Sequence, residues 1–444
     1  PFFFLQGYGY RTYSLIERLL AQPRVLVFYL SLIFYPLPQR LSIDHSIRLS
    51  SSLYDPWTTI PAILLLVFLL IIGIHQIKKR PFIGFPICFF FLNHVIESSV
   101  IPLEIVFEHR NYLPSAFLFL PIAVFLNYLL ESYRKKNRLV FAFLFFGLSS
   151  IIFLFGMGTY IRNAVWASKK TLWEDAAIKA PENARPLVNL AIELGWKENA
   201  TRQDIQTALS LLYRAIPLYK PNDFHHAEIY SNIGGIFYKI GDYSKAIAAY
   251  EKALKMDPYN ILTRYNLVQS LVLMQRWDEA STHMDFIIEN GSKKFSYFNL
   301  KGFVLLWQNH PYEAIQYFRE ALKRAPNNAS VLMNTGIALS RLGSFKNATW
   351  FLKRAANASP DEIYPYLGLI ENAAKSNDFE IAKLYSNKLL SIQDIESIMK
   401  SLEGLEQNFK GPPLSRDWIA PAIKLAILES IDQLKNDGQE KKQD

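Results

Sequence analysis

The sequence predicts an all-α chain in two parts: a multi-span transmembrane helical region, then an α-solenoid of short paired helices. Three observations predict this. Residues up to Tyr160 are rich in Phe, Leu and Ile and contain runs free of Asp, Glu, Lys and Arg. Dense basic clusters, Lys78-Lys79-Arg80 and Arg134-Lys135-Lys136 with Arg138, punctuate those runs. Beyond them Ala246, Ala280, Ala314, Ala348 and Ala382 recur every 34 residues without an insertion.

The chain has 444 residues and a formal charge of +9. It opens on Pro1-Phe2-Phe3-Phe4-Leu5, without an initiator methionine or a signal-peptide layout. This apolar stretch reads as the tail of an earlier span, so the chain is expected to be the C-terminal part of a longer protein. The single cysteine, Cys88, lies in an apolar run and forms no internal disulfide. The positive charge concentrates beside the spans, where it sets topology, and no basic patch interleaved with aromatics follows; nucleic acid is excluded as a partner.

Five spans are expected over residues 1–160. Thr58–Gln76, Tyr112–Leu130 and Leu139–Tyr160 are uncharged and long enough to cross about 30 Å of hydrocarbon at 1.5 Å per residue. Pro81–Ile96 carries Asn93 and His94 near its far end, and Val25–Pro36 is the shortest, with a buried or re-entrant helix as its alternative. The two basic clusters should face the cytoplasm. Alternation then puts Arg11, Arg18 and Arg24 inside, Leu37–Trp57 and Glu97–Asn111 outside, and everything after Tyr160 outside, although Arg162, Lys169 and Lys170 pull the other way.

On the outer face the octapeptide EHRNYLPS, Glu108 to Ser115, runs into a span. Ionisable groups at that depth cost a few kcal/mol each unless paired or wetted. One reading is an interfacial anchor, with Arg110 snorkelling and Tyr112 in an aromatic belt. The other is a pocket in which His109 and Arg110 meet a lipid-linked phosphate while carboxylates such as Glu108 hold them.

The segment 227–260, AEIYSNIGGIFYKIGDYSKAIAAYEKALKMDPYN, is one unit of 34 residues. Its Tyr230, Gly234, Phe237, Ala246, Tyr250, Ala253 and Pro258 fall where tetratricopeptide repeats place large, small and helix-stopping residues, and the unit resembles them. Gly302 and Gly336 keep step with Gly234, as Pro326 and Pro360 do with Pro258. Small residues let the two helices of a unit approach, and proline stops the second helix before the next unit begins. Five such repeats are expected over 227–396, degenerate ones over 161–226, and capping helices with a polar tail over 397–444. The concave face should carry Tyr238, Tyr265, Gln269, Phe303, Trp307, Met333, Ile337 and Tyr364. That face lacks the regular Lys and Asn set that clamps a terminal carboxylate; several of these residues also suit packing between units, and together they favour an extended peptide or unfolded protein segment.

No phosphate-cradling glycine loop and no nucleophile elbow occurs, so no cofactor is expected. His225-His226 reads as a solvated loop, and His94 with Glu97 makes at best half a metal site, so no metal is expected. The sequons at Asn199, Asn328, Asn347 and Asn357 follow from ordinary usage.

Several spans, the element Arg110, Tyr112, Leu113, Pro114, Ser115 before a late span, the segment Pro23–Pro56 and the repeats together resemble the transmembrane-and-tetratricopeptide-repeat glycosyltransferase family, particularly its bacterial membrane relatives. Here the element reads Glu108-His109-Arg110-Asn111-Tyr112 in place of Glu-Arg-Tyr. The resemblance implies a polyprenyl-phosphate sugar donor, a protein acceptor held by the repeats, and a bacterial inner membrane with repeats on the periplasmic side. It also implies that the catalytic carboxylate lies in an outer loop upstream of this chain, so no catalytic residue is assigned. The alternative is a non-catalytic membrane-anchored scaffold for envelope assembly or secretion.

Overall fold

The computed structural model describes residues 8, 13–219, 225–407 and 413–427. Every regular element among them is helical. Arg11 and the polar tail from Asn436 lie outside the described residues. The chain divides into two compact units, 1–229 and 230–444.

The first unit begins with α1 (Leu15–Phe34), opened by a capping box in which Ser14 accepts from Glu17 N. Two close hairpins follow. In the first, α2 (Thr59–Lys79) and α3 (Pro81–His94) are joined by Arg80 alone. A Cβ on Gly84 would lie 2.4 Å from Ile77 N, so glycine lets the two backbones meet there. In the second, α4 (Leu120–Lys136) and α5 (Arg138–Val165) are joined by Asn137, whose side chain caps Leu139 N and Val140 N. Both basic clusters therefore sit at hairpin tips. Three amphipathic helices complete the unit: α6 (Lys169–Lys179), α7 (Ala184–Gly195) and α8 (Arg202–Ala215).

The span expectations change in three places. Only α2, with 21 residues, and α5, with 28, are long and apolar enough to cross a membrane by length and composition among the described residues. Residues 112–119 are turns, and the helix expected from Tyr112 begins at Leu120 with Pro121 in its first turn, where the missing N–H costs nothing. The short span Val25–Pro36 belongs to α1, which does not alternate sides. Its Arg18 donates to the carbonyls of Glu97, Ser99 and Leu103, and its Tyr29 hydroxyl accepts from Phe107 N at 2.7 Å. A loop expected outside thus runs along a helix whose arginines were expected inside. Arg18 is fully buried against backbone, a structural role that a charge-counting rule reads as topology.

In the second unit the 34-residue period is exact in the helix starts. The first helices of successive pairs are α9 (His225–Lys239), which crosses the unit boundary, α11 (Ile261–Leu273), α13 (Phe295–Trp307), α15 (Ala329–Arg341) and α17 (Ile363–Lys375). Their partners are α10 (Tyr243–Met256), α12 (Trp277–Asn290), α14 (Pro311–Arg324), α16 (Phe345–Ala358) and α18 (Phe379–Leu390). The phased alanines 246, 280, 314, 348 and 382 are all at most 1% exposed, the points of closest helix approach. A further helix, α19 (Ile395–Gln407), and a helical segment over 416–427 close the far end, where Ile398, Leu402, Ile419 and Ile423 join the last core cluster.

Each turn between paired helices places one residue in the left-handed region: Gly241 (φ 84°), Gln275 (59°), Asn309 (62°), Gly343 (74°) and Asn377 (57°), again 34 apart. A side chain there costs about 1 kcal/mol or more relative to glycine, asparagine less than most. Gln275→Gly is therefore expected to stabilise the array by about 1 kcal/mol, read as a raised urea midpoint at unchanged slope, with Asn309→Gly giving a smaller gain.

Candidate functional site

Two places in the molecule gather the residues that the sequence nominates. In the second unit, α9, α11, α13 and α15 line a groove of about 440 Å³ with Tyr238, Tyr265, Gln269, Phe303 and Met333. Five of the eight expected positions meet there because a 34-residue period returns the same helix face in each repeat. None of the lining residues carries a formal charge. One wall is polar: Asn334 Nδ2 donates to Asn299 Oδ1 at 3.1 Å, and Asn299 Nδ2 reaches Ser330 Oγ at 3.4 Å. Burial pushes the Tyr238 and Tyr265 hydroxyls up, Tyr297 adding to the effect on Tyr265, so both stay protonated and can donate. Asn299, Ser330 and Asn334 are absent from the sequence-based list; Asn334 keeps the 34-residue phase of Asn232 and Asn266, which was the available signal.

The other three expected positions lie elsewhere. Ile337 is 3% exposed and packs in the core beside Leu352 and Leu367. Trp307 stacks flat on Trp277, centroids 5.3 Å apart and planes 4° from parallel. Tyr364 packs against the last core cluster. These three are packing residues, the alternative that the pattern left open. Asn328, one of the sequon asparagines, caps α15 by accepting from Val331 N at 3.1 Å.

In the first unit the octapeptide is divided. Glu108 Oε1 accepts from Ser42 N and contacts His45 Nε2, each at 2.7 Å. Glu108, His109 and Tyr112 line a cavity of about 340 Å³ with Asn111 and Trp166, and Tyr112 is 89% exposed. Arg110 is not among its lining. Its Nη1 donates to Glu104 O at 2.6 Å, its Nε lies 3.6 Å from Glu97 Oε2, and its guanidinium covers the Phe107 ring at 5.0 Å. The carboxylate and carbonyl beside it take the donors that the phosphate reading requires. The histidine pair also differs from expectation: His226 is buried and contacts Ile216 O through Nε2 at 2.9 Å, while His225 stacks on Tyr219.

A larger chamber of about 550 Å³ lies where residues 44–49, 104–107 and α7 converge. Asp44 takes an Asn183 amide at 2.9 Å with Arg185 Nε 4.0 Å away. Burial pushes the Asp44 carboxyl up against the opposing pull of Arg185. No sequence signal joins positions so far apart. No cluster of three metal-ligating side chains occurs among the described residues.

Residues 227–260 and 304–363 each match a family model described as tetratricopeptide repeat. The chain carries a tetratricopeptide-repeat solenoid. Repeats of this kind bind proteins or peptides, and protein–protein interaction is the function the array serves. The chain is 23% identical over 199 residues to a TPR repeat-containing protein of Methanocaldococcus jannaschii, covering 43% of this chain and 34% of that protein. It is 22% identical over 180 residues to Protein O-mannosyl-transferase TMTC1 of Homo sapiens, covering 40% of this chain and 20% of the human protein. Among solved structures, PilF of Pseudomonas aeruginosa aligns at 20% identity with a TM-score of 0.39, over 50% of this chain and 98% of that one. The tetratricopeptide chain thus spans 9% to 34% of the length of four curated relatives.

Proposed function

We propose that the tetratricopeptide groove holds an extended, uncharged segment of a partner protein, and that the intact protein transfers a sugar from a polyprenyl phosphate to that segment. The carrying observation is the groove itself, where four first helices present aromatic and amide groups without a formal charge. Extended backbone suits amide donors and acceptors such as Asn299, and aromatic walls suit alternate side chains. The hairpins α2–α3 and α4–α5, basic at their tips, would anchor the protein in a bacterial inner membrane with the repeats on the periplasmic side. The match to the human O-mannosyl-transferase supports the transfer step, which requires chain beyond this sequence.

The test places charge in the groove without removing a packing residue. Gln269→Glu with Met333→Glu in the full-length protein is expected to lower transfer of labelled sugar from polyprenyl phosphate to membrane protein at least tenfold, a loss of about 1.4 kcal/mol in recognition. Helical content and melting temperature serve as the folding controls. Undiminished transfer by a folded variant removes the groove from acceptor binding. A wild-type protein that binds partner segments yet transfers nothing leaves the scaffold reading in place.

A further inference from the structure

Between α1, residues 46–48 and the start of α2 lies a cleft of about 540 Å³. Its walls are apolar, from Val27, Phe28, Ala62 and Leu65, and it also carries Arg24 and Arg48. Arg24 donates through Nη1 to Arg48 O at 2.6 Å and Ser50 Oγ at 3.3 Å; its Nε and Nη2 have no hydrogen-bond partner among the described residues. Arg48 binds Asp55 Oδ1 at 2.7 Å through Nη2, with its side chain 70% exposed. Burial first, then the neighbouring Arg48, holds the Arg24 guanidinium below its usual value, while Asp55 opposes. The 21-residue helix α2 starts at the same place: Thr58 lines the cleft and makes no side-chain cap, so the positive end of the helix dipole adds to the two cations.

We propose that this cleft binds a phosphate carried on a long apolar chain, with the phosphate at Arg24 and Arg48 and the chain along Val27, Phe28, Ala62 and Leu65. The inference deepens the reading above and rests on its placing of α2 in a bilayer. An apolar molecule alone would leave the guanidiniums without an anion, and free phosphate would gain nothing from the walls. Arginine grips phosphate oxygens in a fork, and two forks with a helix start make a stronger site than Arg110, whose donors are taken.

The chain purified in detergent is titrated with farnesyl phosphate, farnesol and inorganic phosphate, with binding read by native mass spectrometry. Farnesyl phosphate is expected to bind at least tenfold more tightly than either of the others. Arg24→Gln and Arg48→Gln should each weaken it roughly ten- to a hundredfold, as loss of a charged hydrogen bond does. Equal binding of farnesol, equal binding of inorganic phosphate, or wild-type affinity in both variants overturns the proposal. Arg48 makes only an exposed pair with Asp55, so its variant folds and keeps the test decisive if Arg24→Gln does not. Loss of farnesyl phosphate binding in Arg110→Gln alone would return the phosphate to the octapeptide. No acceptor is present in the titration, so a failure here leaves the groove reading standing.

Discussion

Gly302→Val is expected to destabilise the repeat array by about 3 kcal/mol, the upper range for overpacking a close-packed core. A Cβ at Gly302 would sit 2.5 Å from the Phe318 ring, which is fully buried and has nowhere to move. The same relation recurs one and two repeats away, with Gly234 against Tyr250 at 2.6 Å and Gly336 against Leu352 at 2.6 Å. The second repeat solves the problem with the sizes exchanged. It has Val268 at the small position and Met284 sixteen residues on, both 0% exposed in one cluster. The chain therefore carries its own rescue experiment. Phe318→Met alone should cost about 1–2 kcal/mol from a partly filled cavity, methionine being the side chain that best fills irregular space. Gly302→Val with Phe318→Met should recover at least about 1 kcal/mol relative to the sum of the single changes, a coupling of the size seen between touching residues. Urea midpoints of the four proteins measure it. Strict additivity would show that the two positions do not share one volume.

Arg18→Met is the second large effect, on the order of 3 kcal/mol or more. The arginine is 0% exposed, and its donors reach the carbonyls of Glu97, Ser99 and Leu103. Removing it leaves three acceptors in the protein interior, each costing about 1–3 kcal/mol when unsatisfied. Arg18→Lys should recover little of this, because one ammonium on a flexible stem cannot span carbonyls that a planar fork reaches together. Thermal unfolding in detergent measures the loss, and limited proteolysis should show cleavage within 97–111 at temperatures where the wild type resists. Full resistance in Arg18→Met would mean that the loop is held by other contacts, chiefly the Tyr29–Phe107 hydrogen bond.

The two units differ in how much of them the sequence discloses. In the array a single period fixed the helix pairs, because alanine at 246 and its four successors has one physical use, close helix approach. The same period placed Tyr238, Tyr265, Gln269, Phe303 and Met333 in one groove. It could not separate them from Ile337 and Trp307, since a residue facing the groove and one tucked behind it share a helical face. Stacking on Trp277 and contact with Leu352 decide that, and both partners come from another helix. The left-handed turn positions were legible only at Gly241 and Gly343; glutamine and asparagine occupy the rest without a glycine to mark them. In the first unit hydropathy found α2 and α5, where composition alone suffices. It misread α1 and the stretch before Leu120, because Arg18 and Arg110 spend their charges on backbone and on neighbouring side chains. The chamber around Asp44 and the cleft at Arg24 and Arg48 come from loops whose meeting no local pattern encodes.

The matched volumes across each helix pair also bear on how such a gene can change. Exchange between neighbouring repeats that breaks between the first and second helix would join Val268 to Phe318, or Gly302 to Met284, a collision in one product and a void in the other. Crossovers at the proline-marked seams, such as Pro326 or Pro360, keep every mate with its own partner. Growth or shrinkage of the array is therefore viable mainly in whole blocks of 34 residues, and the phase of the seams is what inheritance must preserve.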